Sequence, residues 1–116
     1  ESISGLDNVT RAESVKASGV WLAQHAVETG SLVTNDRRIA FYSNRYRDHD
    51  FIGSDHQLIL QELAKGRWPQ SAFIALRFHR RQDNTNAREQ LEALGATFME
   101  IFSHPNGDTV IVYRLP

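Results

Sequence analysis

The run AFIALRF, Ala72 to Phe78, constrains this chain more than any other short stretch. Apart from Arg77 it is apolar at both odd and even positions, so as a strand it must be covered on both faces. Helical crossovers between parallel strands supply such cover, because each one lays a helix against the sheet. The remaining pattern fits that demand. Thr10 with Glu13 three residues on is a capping-box pair, and Ala12, Val15, Gly19, Leu22 and Ala26 then recur at helical spacing up to Gly30. Leu32 and Val33 read as a short strand ending at Thr34. Asp36 stands where a second helix would start, with Ile39, Ala40, Phe41 and Tyr42 in its body. Tyr46 to Ser54 is polar and lacks periodicity, which predicts a loop.

Asp55 is placed to cap a third helix that turns Leu58, Ile59 and Leu63 inward and stops at Gly66. After the Ala72–Phe78 strand, HRRQDNTN reads as a loop. Asn84 or Thr85 then caps a helix over Ala87 to Leu94 that Gly95 closes. TFMEIF and TVIVYRL flank SHPNGD, whose Pro-Asn-Gly is a hairpin turn signal. The order α-β-α-α-β-α-β-β predicts one α/β domain over residues 1–116, a small three-layer Rossmann-like sandwich. It should have three parallel strands plus a C-terminal antiparallel hairpin strand at the sheet edge.

Such sheets bind ligands beyond the carboxyl ends of their parallel strands. Here that rim is Asn35, Asp36 and Arg37 after one strand and His79, Arg80 and Arg81 after the other. These six residues are the candidate ligand-binding set, suited to hydrogen-bonding a sugar or an anion. Asp36 admits two readings. A strand-end aspartate after Thr-Asn resembles the turn of PIN-type nucleases, where several carboxylates converge on Mg²⁺ or Mn²⁺. The other strand end brings no acid nearer than Asp83, and no earlier strand supplies a second aspartate. A helix cap needs only one carboxylate and the free N–H groups of the first turn. A second metal candidate is His49, Asp50, Asp55 and His56, whose spacing is that of a solvated loop rather than of a fixed ligand set. Neither constellation yields a metal site, and no catalytic residue is assigned.

Other classes are bounded by what the chain contains. No glycine lies between Thr34 and Arg38, which removes the phosphate-cradling loops of dinucleotide and triphosphate sites, so no cofactor is expected. There is no cysteine. The formal net charge of −1 argues against general nucleic-acid binding, although four arginines fall between Arg37 and Arg47. Trp21 and Trp68 are expected to pack on the sheet rather than stack on a sugar. No apolar run approaches the ~20 residues that span a bilayer, and the start at Glu1 suggests a piece of a longer protein.

WLAQHAVETGSLVTNDRRIAFYSNR, through Trp21, Leu22, Gly30, Val33, Asn35, Asp36, Arg38, Phe41, Tyr42 and Arg45, carries a family resemblance. It is similar to the segment following the last membrane span of polytopic bacterial glycosyltransferase-like proteins of the dolichyl-phosphate-mannose type. The terminal VIVYRLP resembles the close of such chains. The resemblance implies a soluble C-terminal domain on the extracytoplasmic, periplasmic face of a bacterial membrane. Its partners would be its own membrane-embedded part and a sugar or lipid-linked sugar. The family's catalytic acids lie in loops between membrane spans, so none is carried over. The chain is therefore expected to be a non-catalytic accessory domain for interaction or substrate positioning. A small metal-dependent nuclease or phosphoesterase built on Asp36 is the alternative, and a cytosolic regulatory domain a third.

Overall fold

The computed structural model describes residues 3–25, 32–44, 49–68, 73–79, 82–103 and 108–116, with backbone alone at 3–12, 49 and 50. It is a mixed α/β structure with the element order α1 (Ile3–His25), β1 (Leu32–Thr34), α2 (Arg37–Tyr42), β2 (His49–Asp50), α3 (His56–Ala64), β3 (Phe73–Phe78), α4 (Thr85–Ala93), β4 (Thr97–Ser103) and β5 (Thr109–Arg114). The sheet order is β2-β1-β3-β5-β4. β2, β1 and β3 pair in parallel, with Leu32 opposite Phe73 and Thr34 opposite Ala75. β5 runs antiparallel to both β3 and β4.

β3 lies in the middle of the sheet, as its two-sided apolar pattern requires, and Ile74, Ala75, Leu76 and Phe78 are fully buried. Its residues alternate between two apolar clusters. Ile74, Leu76 and Phe78 join Val33, Ile111 and Tyr113 with Ile59, Leu60 and Leu63 of α3 and Ala87 and Leu91 of α4. Phe73 and Ala75 join Leu32, Val110 and Val112 with Val15 and Leu22 of α1 and Ile39 and Ala40 of α2. Trp68 is buried in the first cluster, and Trp21 packs against the second.

Several expectations are corrected. α1 begins at Ile3, so Thr10 lies inside a helix instead of capping one. The stretch expected to be a loop contains β2, a two-residue strand that exists because β1 offers it a free parallel edge. The last strand is not at the edge: β5 is inserted between β3 and β4, and β4 takes the edge. The reason is burial. VIVY in β5 is apolar on both faces, whereas β4 carries Glu100 and exposes Phe98 and Ile101. Leu58 points outward at 43% exposure, and Leu60 takes the inward place. The Pro-Asn-Gly turn and Ala72 lie outside the described residues.

Candidate functional site

The carboxyl ends of β1 and β3 lie side by side, because Thr34 pairs with Ala75 and the strands run in parallel. At the end of β1 the chain turns through Thr34-Asn35-Asp36. The Thr34 hydroxyl accepts from the Asp36 N–H at 3.1 Å and donates to the Asp36 carbonyl at 3.2 Å, closing the turn locally. Asn35 then does with its side chain what a peptide group would do one rung further along the ladder. Its Nδ2 donates to the Arg77 carbonyl at 2.9 Å and to the Ser54 carbonyl at 3.1 Å. Its Oδ1 accepts from the Arg77 N–H at 2.7 Å. Asn35 is buried, and these bonds use both amide donors and the carbonyl. It joins β1, β3 and the segment entering α3.

Asp36 is 8% exposed and caps α2, with extended backbone at φ −144° and its Oδ1 accepting from the Arg38 N–H at 2.9 Å. The same carboxylate receives the Arg38 guanidinium, with Nη2 at 2.7 Å from Oδ2 and Nε at 3.1 Å from Oδ1. Arg77 reaches it from β3, its Nε 2.8 Å from Oδ2. The Nε–H is buried but not aligned for a hydrogen bond, so this contact is held by charge. Arg77 Nη1 bonds Asp108 Oδ2 at 2.7 Å, just before β5. The outcome is a chain of alternating charges, Arg38–Asp36–Arg77–Asp108, across three elements of the sheet's carboxyl end. Burial pushes the Asp36 carboxyl up, yet the hydrogen bonds from Arg38 and the charges of Arg38 and Arg77 outweigh it, and Asp36 ionises below its ordinary value of 3.8.

Of the other rim residues, Arg37 is exposed and sets its guanidinium 4.5 Å above the Phe51 ring. His79 is mostly exposed, with Nδ1 3.8 Å from Asp108 Oδ1 and its backbone N–H on Gln82 Oε1 at 2.8 Å. Arg80 and Arg81 lie outside the described residues. Asn35, Asp36 and Arg37 thus share the β1 end, and the charge chain connects Asp36 to His79 through Arg77 and Asp108. Arg77 and Asp108 were absent from the expected set. The signal for Arg77 was available: it is the sole charge in an apolar strand and shares the parity of Phe73 and Ala75. Asp108 had none, since only the hairpin brings it there.

In the second metal candidate, Asp55 caps α3 by accepting from the Gln57 N–H at 2.9 Å. His56 packs its ring, tilted by 51°, against that of Phe78 with centroids 4.5 Å apart. The side chains of His49 and Asp50 lie outside the described residues. Among the described residues no group of three or more His, Cys, Asp or Glu side chains is placed to hold a metal ion. Among them, too, no helix is long and apolar enough to cross a membrane. No protein-family model, curated protein or solved structure matches the chain.

Proposed function

We propose that this chain is a non-catalytic α/β domain, built as a three-layer Rossmann-like sandwich, of a bacterial membrane protein related to glycosyl transfer. In this reading it sits on the extracytoplasmic face and contacts its own membrane-embedded part. Arg37 and His79, together with Arg80 and Arg81 that follow in sequence, position a sugar or lipid-linked sugar. The observation that carries the non-catalytic reading is the state of Asp36. Its two oxygens are engaged by the α2 cap, by Arg38 and by Arg77. Arg77 bridges Asp36 and Asp108, so the place where two strand-end carboxylates could share a divalent cation is filled by a guanidinium. A two-carboxylate metal site needs those oxygens free. The Asn35 amide is likewise saturated by backbone groups, which leaves it a positioning role beneath the rim.

The binding part is tested by titrating the ¹⁵N-labelled domain with a hexose 1-phosphate and with the free hexose. Shifts concentrated at Arg37 and at His79 to Arg81, stronger for the phosphate, are expected. Shifts confined to another face, or none at millimolar ligand, contradict it. The parent is tested by the coding sequence upstream of Glu1, which should encode several apolar segments of ~20 residues.

A further inference from the structure

Among the described residues Phe41 is the most solvent-exposed of the exposed large hydrophobic side chains, at 64%, where the others of that group lie between 36% and 43%. It sits on α2, whose opposite side is fixed by buried Ile39 and Ala40. Arg37 lies one helical turn before Phe41, so the two share a face. Arg37 has no carboxylate partner among the described residues, and its guanidinium rests on Phe51. Arg38, next to it, keeps half of its side chain in solvent. The acid nearest to Arg37 in sequence, Asp36, is buried and held by Arg38 and Arg77. In sequence, residues 37–47 hold four arginines and no acid, before Asp48 and Asp50 follow.

We propose that this arginine-flanked aromatic projection is an interfacial anchor for an anionic phospholipid surface. Phe41 would enter the headgroup boundary while Arg37 and the exposed part of Arg38 meet lipid phosphates. A bilayer surface asks only for apolar area beside positive charge and needs no concave site, which suits a single projecting ring. Single-stranded nucleic acid would need successive open ring faces. Here Phe51 is covered by Arg37, and Phe41 is engaged edge-on by Tyr42 with centroids 5.4 Å apart. The proposal leans on the membrane-protein reading in one respect: attachment beside a bilayer would let a weak affinity suffice.

The test is co-sedimentation of the purified chain with vesicles of phosphatidylglycerol and phosphatidylcholine, against pure phosphatidylcholine. Binding to the anionic vesicles alone is expected, reversed at ~1 M salt, where charges are screened within about 3 Å. Phe41→Ser and Arg37→Glu should each weaken it roughly tenfold, with Arg37→Lys close to the wild type. Unchanged melting temperatures show that the variants are folded, as an exposed site allows. No sedimentation with anionic vesicles, equal binding to neutral ones, indifference to both variants, or preferential binding of single-stranded RNA overturns the proposal. The two readings fail separately. Membrane spans upstream without vesicle binding would sink the anchor alone, and vesicle binding without such spans would sink the parent alone.

Discussion

A carboxylate withdrawn from water must be repaid in hydrogen bonds or charge, and Asp36 receives both, from an N–H of α2 and from two guanidinium groups. A cap alone would make Asp36→Ala cost about 1 kcal/mol. Loss of the ion pairs also leaves the largely buried Arg77 with Asp108 as its remaining carboxylate, so the expected destabilisation in urea unfolding is roughly 2–3 kcal/mol. Asp36→Ser should recover only the capping share, about 1 kcal/mol. The pH dependence follows from the lowered folded-state value. A carboxyl with a depressed pKa contributes stability above its unfolded value of ~3.9, and that contribution is lost as pH falls through the lower folded value. The stability gap between wild type and Asp36→Asn should therefore narrow as pH falls from about 5 to 3. A gap that stayed constant would mean that the carboxylate is not held by its charge. Asn35 supplies a separate check. Asn35→Asp replaces two donors with an acceptor facing the Ser54 and Arg77 carbonyls, and should cost about 2–3 kcal/mol at neutral pH. Thr34-Asn35-Asp36 was legible in the sequence as a strand end and cap, because capping is local chemistry. That Asn35 also joins β3 was not, since its partner Arg77 is 42 residues away.

Among the elements, those with a strong pattern of their own were readable and those defined by a neighbour were not. β3 could be read from two-sided apolarity, and α3 from Asp55, Ile59 and Leu63. β2 is two polar residues, His49 and Asp50, whose strand character comes wholly from β1. The hairpin was readable as a hairpin, but which arm lies inside depends on comparing its two strands with the open edge of β3. Two substitutions probe this packing. Ile74→Asp puts an unpaired charge in the central strand and should cost several kcal/mol, enough to unfold a domain of this size. Gly19 lets α1 approach α2 so closely that an added Cβ would meet the Tyr42 Cβ, with the Ile39 carbonyl oxygen 3.0 Å away. Gly19→Ala should therefore lower stability by about 1–3 kcal/mol although alanine favours helix, because α2 must be displaced. A gain in melting temperature would show that the helices do not cross at Gly19.

At the scale of the molecule, the sheet places its parallel strand ends on one rim, and the chain closes that rim with its own ions. In the proposed reading, Asp36 belongs to this closure and not to a reaction. That claim is tested most directly by incubating the purified chain with single-stranded RNA and DNA in the presence of Mn²⁺, beside Asp36→Ser. The expected result is no cleavage by either protein, with no more than background hydrolysis over hours. Metal-dependent cleavage by the wild type that disappears in Asp36→Ser would contradict the claim, since it would require the Asp36 oxygens to leave Arg38 and Arg77 for a metal ion.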